Sequence, residues 1–176
     1  LSLRRQRQMC IRDSYYFSVR EITRTTYGYQ EKLLTELHGK LQAQFQAIES
    51  VSLSVSRNND VLELLTDRQG EYDKFLLIRN VIANLNTLTF STPAIHDIHL
   101  YVQHPPQSGE RDVIRFYDMD AIEDMPWHEA IAPSDFRWIG EHPAESYQGE
   151  VSVVSFVRKL YSVGGDYRGV VLINVK

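Results

Sequence analysis

The sequence predicts an α+β fold, in which a long N-terminal helix and shorter helices pack on a sheet of about five antiparallel strands. Three observations carry this. Apolar residues recur at helical spacing from about Tyr15 to Ser56. The period switches from 3.6 to two after Pro93. Two late segments, Val151 to Tyr161 and Gly169 to Val175, read as strands that are apolar on both faces.

The first helix takes its apolar face from Leu34, Leu37, Leu41, Phe45, Ile48, Val51 and Val55, steps of three and four that average close to the ~3.5 of a heptad. Ile22, Thr26, Tyr29 and Leu33 extend that face toward the N-terminus, and Ser14 is placed to cap it. At ~1.5 Å per residue such a helix runs on the order of 60 Å. That exceeds a small core, so its apolar face is expected to serve both its own sheet and a second copy. Residues 1–14 carry Arg4, Arg5, Arg7 and Arg12 with no helical or strand period, and are expected to be a non-native or disordered tail. They resemble translated library-adapter sequence, which would strip Cys10 of meaning.

Arg57-Asn58-Asn59-Asp60 breaks the helix, with Asn59 or Asp60 expected to cap a short helix through Val61, Leu62, Leu64 and Leu65. Gly70 ends that unit. Tyr72, Phe75, Ile78, Ile82, Leu85 and Leu88 then mark a third helix from Glu71 to about Phe90. Pro93 stops it, lacking an amide donor and biasing Thr92 out of the helical region.

Beyond Pro93, Ile98, Leu100 and Val102 alternate with polar residues, as do Ile114 and Phe116, which predicts a hairpin turned by Pro105-Pro106 and Gly109. Residues 118–132 are polar and irregular, with a helical turn near Trp127-His128-Glu129. Phe136 to Gly140 reads as a short strand at most. The two apolar segments are expected to be central strands joined through Gly164-Gly165-Asp166.

Composition excludes some functions. The net charge of -4 and pI near 5.9 lack the basic excess that phosphate-backbone binding needs, so nucleic acid is not an expected partner. No apolar run approaches the ~18 to 20 residues that cross a bilayer. The single cysteine rules out an intrachain disulfide. There is no GxSxG, HExxH or phosphate-binding glycine loop, so no enzyme activity and no cofactor are expected.

Among metal candidates, His96 and His99 should point to opposite faces of a strand, and His96 and His104 should lie roughly 26 Å apart at ~3.3 Å per residue. Asp118, Asp120 and Glu129 match three places of a calcium loop, but Ile122 stands where an oxygen ligand belongs and Glu123 where a glycine should bend the chain. No metal is expected. A ligand pocket has better support. Trp127, Trp138, Tyr101, Tyr117, Tyr147 and Tyr161 interleave with Arg115, Arg137, Arg158 and Asp118, and aromatic walls with a few polar groups suit small-molecule sites. The candidate binding residues are Tyr101, Tyr117, Trp127, Trp138 and Arg158. Arg158 shares a strand face with Val154, Phe156 and Leu160, so its guanidinium needs a partner: a ligand, an internal acid, or solvent.

The stretches SRNNDVLELL, IHDIHLYVQ, PWHEAI, FRWIG, VSVVSFVRKLYS and YRGVVLINVK give residues 14–176 a resemblance to the extracytoplasmic region of YesM-like sensor histidine kinases, membrane receptors with a double Cache sensor. The resemblance implies a PAS-like (Cache) module over residues 58–176, truncated at its C-terminus, and a signalling helix over 15–57. It implies a ligand-sensing, membrane-anchored homodimeric receptor facing out of the cytoplasm, with kinase and membrane spans outside this chain. The implied partner is a small molecule, carbohydrate among the options, or a solute-binding protein. The amino-acid-binding pattern of some double Cache sensors is missing, since Phe136-Arg137-Trp138-Ile139 offers only its Arg-Trp pair. The alternative is a coiled-coil interaction module with a structural sheet and no ligand.

Overall fold

A computed structural model describes residues 2–66, 70–108, 112–146 and 149–176, with side chains from Tyr15 onward except at 145–146. In chain order the elements are α1 (Ser2–Ser56), α2 (Asn59–Leu64), α3 (Glu71–Ser91), β1 (Ile95–Val102), β2 (Ile114–Asp118), a 3-10 turn (Met119–Ile122), α4 (His128–Ile131), β3 (Phe136–Ser146), β4 (Gly149–Tyr161) and β5 (Tyr167–Val175). The fold is α+β with a five-stranded sheet in the order β2-β1-β5-β4-β3.

The chain divides into two units, Leu1–Gln44 and Phe45–Lys176. In the first, α1 runs without a break through Ser14, which is therefore an interior helical residue and not the expected cap. Leu33, Leu34, Leu37 and Leu41 are exposed there, and Glu36 and Lys40 pair one turn apart at 3.0 Å. In the second unit, the remainder of α1 buries Ile48, Val51 and Val55. Asn58, one residue earlier than expected, caps α2, its side chain accepting from the amides of Asp60 (2.9 Å) and Val61 (3.2 Å). Thr92 leaves the helical region at φ -127, ψ 82, as its following proline dictates.

Two apolar layers cover the sheet. On one face Ile48, Val51 and Val55 of α1, Val61 and Leu64 of α2, and Leu77, Val81 and Leu85 of α3 pack on Ile98, Leu100, Phe116, Phe156, Leu160, Val171 and Ile173. On the other, Ile122, Trp127 and Ile131 from the segment around the 3-10 turn and α4 pack on Tyr101, Val157, Val170 and Leu172. The central position of β5 explains why its sequence is apolar without alternation. Gly169 lies where a Cβ would come within 2.7 Å of the Tyr101 carbonyl oxygen, so β5 could not sit this close to β1 with any other residue there. Gly165 turns β4 into β5 at φ +85.

Two strand expectations need correction. β1 and β2 do not form a hairpin: they pair in parallel, Ile98 beside Ile114 and Val102 beside Asp118, while the other pairings are antiparallel. His104, at φ +52, turns the chain back after β1. Ser108 then bonds both the Phe116 amide (3.2 Å) and the Phe116 carbonyl (3.3 Å), holding the returning segment along the outer edge of β2. Chain length between Val102 and Ile114 permits this return, whereas the turn residues alone suggested a tight reversal; Gly109 lies outside the described residues. β3 is also longer than expected, running from Phe136 to Ser146 with a register shift between Ile139 and His142.

Candidate ligand-binding site

Strand alternation decides which candidates meet. On β1, Asp97, His99 and Tyr101 share one face; on β2, Arg115 and Tyr117 stand beside His99 and Tyr101 in register. On β5 that face carries Leu172 and Asn174, and on β3 it carries Ile139 and His142. With Met125, Pro126 and Trp127 from the covering segment, these residues enclose a cavity of about 410 Å³ on the face opposite α1, α2 and α3. Its size falls within the range of small-molecule pockets.

The cavity has an aromatic wall and a polar end. Tyr101 and Tyr117 stack with ring centroids 5.3 Å apart, and Trp127 meets Tyr101 edge-on at 5.5 Å. Burial, with Tyr117 and Asp97 nearby, pushes the Tyr101 hydroxyl far above its ordinary pKa, so it stays protonated at any physiological pH. His99 lies 5.1 Å from Tyr117, centroid to centroid.

Behind the polar end a chain of side chains crosses the sheet. Asp97 is 2 % exposed and Asn174 is 1 % exposed; Asn174 Nδ2 donates to Asp97 Oδ1 at 2.6 Å, and Ser155 Oγ donates to Asn174 Oδ1. Ser155 Oγ lies 3.3 Å from His142 Nε2, and His142 Nδ1 lies 2.9 Å from the Gly140 carbonyl. His99 Nε2 stands 3.2 Å and His96 Nε2 3.9 Å from the two oxygens of Asp97, close enough for ion pairing though not aligned as hydrogen bonds. The register shift between Ile95 and Asp97 breaks the strict alternation expected of His96 and His99, so both rings approach one carboxylate. Burial pushes Asp97 up, but His99, Asn174 and His96 together outweigh it and hold the carboxyl below the ordinary value. Burial likewise drives His96 down, against the opposing pull of Asp97.

The other two candidates lie elsewhere. Trp138 and Arg158 are on the opposite face of the sheet, beneath α1. Trp138 Nε1 donates to Glu49 at 2.9 Å and its ring meets Phe45 edge-on at 4.6 Å. Arg158 Nε donates to Ser52 Oγ at 2.9 Å, and its guanidinium lies 4.7 Å from the Phe136 ring centre. Burial lowers the Arg158 pKa, opposed by Glu49 and Asp135. Of the remaining residues, Tyr161 donates to Asp135 at 2.5 Å, Arg137 to the Ala130 carbonyl at 3.0 Å, and Asp118 caps the 3-10 turn by accepting from the Asp120 amide. Tyr147 lies outside the described residues.

His99, His142 and Asn174 line the cavity but were not singled out as ligand residues from sequence. Asn174 carried a usable signal, being the one polar residue in the apolar run VVLINV. His142 carried none, because β3 was expected to end before it. Among the described residues no group of three or more His, Cys, Asp or Glu side chains converges to hold a metal ion.

These features define a PAS-like α+β domain with a ligand-sized cavity on the sheet face away from its three main helices. Two solved structures share the fold. One is a domain of a sensory box/GGDEF family protein from Vibrio parahaemolyticus, at TM-score 0.56 and 11% identity over 78% of this chain and 55% of that one. The other is the extracellular domain of the histidine kinase vpHK1S-Z8, at TM-score 0.55 and 11% identity over 78% and 52%. The chain thus spans about half the length of each. No family model matches the sequence, and the search of curated proteins found no match. No helix among the described residues is long and apolar enough to cross a membrane.

Proposed function

We propose that this chain is the extracytoplasmic ligand-sensing region of a membrane-bound two-component sensor histidine kinase. The observation that carries the reading is the position of the cavity. One sheet separates it from α1: β3, which lines it through Ile139 and His142, carries Trp138, bonded to Glu49 of α1, on its other face, and β4, paired between β3 and β5, carries Arg158, bonded to Ser52 of α1. A ligand that changes the spacing of β3, β4 and β5 would reach α1 through those two bonds. The fold shared with a histidine kinase's extracellular domain supports the same reading. A full switch between two helix arrangements, from 1:99 to 99:1, needs ~5.5 kcal/mol of differential affinity, within reach of a filled pocket. The parent receptor would be a homodimer, and its ligand a small molecule or a molecule presented by a binding protein. Screening sugars, amino acids and organic acids by thermal shift on the full chain tests this. A saturable ligand weakened by Tyr117→Ala is expected; a library without any stabilising compound counts against the reading.

A second reading, a coiled-coil interaction module, is favoured by the exposure of Leu37 (47 %) and Leu41 (54 %) on one face of α1. Self-association lost in Leu37→Asp and Leu41→Asp, with no ligand from the screen, would support it.

A further inference from the structure

We infer that the cavity takes a small monocarboxylate with a flat apolar body, the carboxylate at Arg115 and the remaining N–H of Asn174 and the body against Tyr101, Tyr117 and Trp127. The inference rests on the reading of this cavity as the ligand site, and it adds the ligand's charge and shape.

Among the described residues the lining contains a guanidinium, two imidazoles and an amide, but no Asp or Glu. Arg115 is half-buried; its Nε donates to the Asp112 carbonyl at 3.0 Å, and among the described residues no acidic side chain forms an ion pair with it. A guanidinium held beside apolar walls is stabilised by a planar, bidentate acceptor, and a carboxylate is the smallest common one. Asp97, 3.2 Å from the lining residue His99, does not serve a bound ammonium. It is buried behind the wall and engaged by Asn174, His99 and His96.

The hydrogen-bond chain behind the wall sets the polarity further. An ionised Asp97 can only accept, so the Asn174 amide presents nitrogen to it and oxygen to Ser155. The single hydroxyl hydrogen of Ser155 goes to that oxygen. His142 Nε2 then faces an oxygen with no hydrogen to give, and its Nδ1 faces the Gly140 carbonyl. The two ring nitrogens are thus turned to Ser155 and Gly140, and the ring shapes the polar end without offering an N–H of its own to a ligand. Asn174 keeps one N–H after serving Asp97. The polar end is rich in donors and poor in acceptors, which suits an anionic head group and not a sugar or an amine. The stacked tyrosines and Trp127, with Met125, Pro126, Ile139 and Leu172 around them, offer rings and apolar area to the rest of the molecule.

The test is isothermal titration of the full chain with benzoate, phenylacetate, indole-3-acetate and hexanoate, each beside its primary amide, and with phenethylamine and glucose as opposite cases. At least one acid should bind saturably, tenfold or more tighter than its amide. Arg115→Gln should remove that preference, while the acid-to-amide ratio on the unaltered protein stands without any variant. Binding of phenethylamine, glucose or the amides in preference to the acids would overturn the carboxylate inference and leave the cavity as a ligand site. No binding by any probe would overturn both.

Discussion

Asn174 Nδ2 and Asp97 Oδ1 meet at 2.6 Å between β5 and β1, at the point where a nearly continuous apolar core admits a charge. The contact fixes the orientation of the amide, and through it the hydroxyl of Ser155 and the ring of His142. Polar groups this deep are costly unless answered, so the pair is expected to matter for stability as well as for the cavity.

Asn174→Leu should destabilise the domain by about 3–5 kcal/mol, because it leaves the Asp97 carboxylate buried without its shortest partner. Asp97→Asn and Asn174→Leu together should cost less than the sum of the single changes. Urea unfolding of the four proteins in a double-mutant cycle measures this, and strict additivity would show that the pair does not interact.

Stability should fall on acidification. Asp97 has a folded-state pKa below its ordinary value of 3.8, so its contribution is present above that value and is lost as pH falls through the folded one. His96 is also lowered, from 6.5, so it favours the folded state when neutral and begins to oppose folding once pH drops below about that value. The urea midpoint should decline from pH 7 downward. His96→Gln should flatten the upper part of that decline, and Asp97→Asn the part below about pH 4. A midpoint independent of pH in both variants and the parent would contradict the assignment.

Gly169→Ala should destabilise by about 1–3 kcal/mol, the order seen for overpacking, since its Cβ would press on the backbone oxygen of Tyr101 at 2.7 Å and on Leu65. Gly164→Ala, in ordinary contact only with Ser162 and Asp166, should be close to neutral. Thermal denaturation of the two variants side by side distinguishes the close approach from a general intolerance of side chains in this hairpin.

Much of this architecture was legible beforehand, and the gaps have physical causes. The helices α1 and α3, the proline stop at Pro93 and the glycine turn before β5 are local signals, and the structure follows them, but α3 buries Leu77, Val81 and Leu85 while Tyr72 and Phe75 of the expected stripe are exposed. The parallel pairing of β1 and β2 is not local: it depends on where a loop returns, and Ser108, which holds that loop against β2, has no distinguishing pattern in sequence. The site divides the same way. Tyr101, Tyr117 and Trp127 meet because two in-register strands and their covering segment share a face, whereas Trp138 and Arg158 fall on the other side by the same alternation. Arg158 was expected to meet an anionic or carbonyl group; its Nε donates instead to the Ser52 hydroxyl, with two phenylalanine rings beside the guanidinium. His142 enters the site only because β3 continues through a register shift.

Arg158→Met should cost about 1 kcal/mol through the lost Ser52 hydrogen bond, with little effect on ligand affinity, because the side chain lies across the sheet from the cavity. Unfolding by urea reads the first effect and calorimetry the second. A tenfold loss of affinity would place binding on the helical face instead.

The most direct measurement is the affinity of one saturable ligand for the unaltered chain, Tyr117→Ala and Arg158→Met, determined together by calorimetry. A cavity that is the binding site predicts at least a tenfold loss in Tyr117→Ala and an unchanged value in Arg158→Met. Equal affinity in all three proteins, or a loss confined to Arg158→Met, would contradict it.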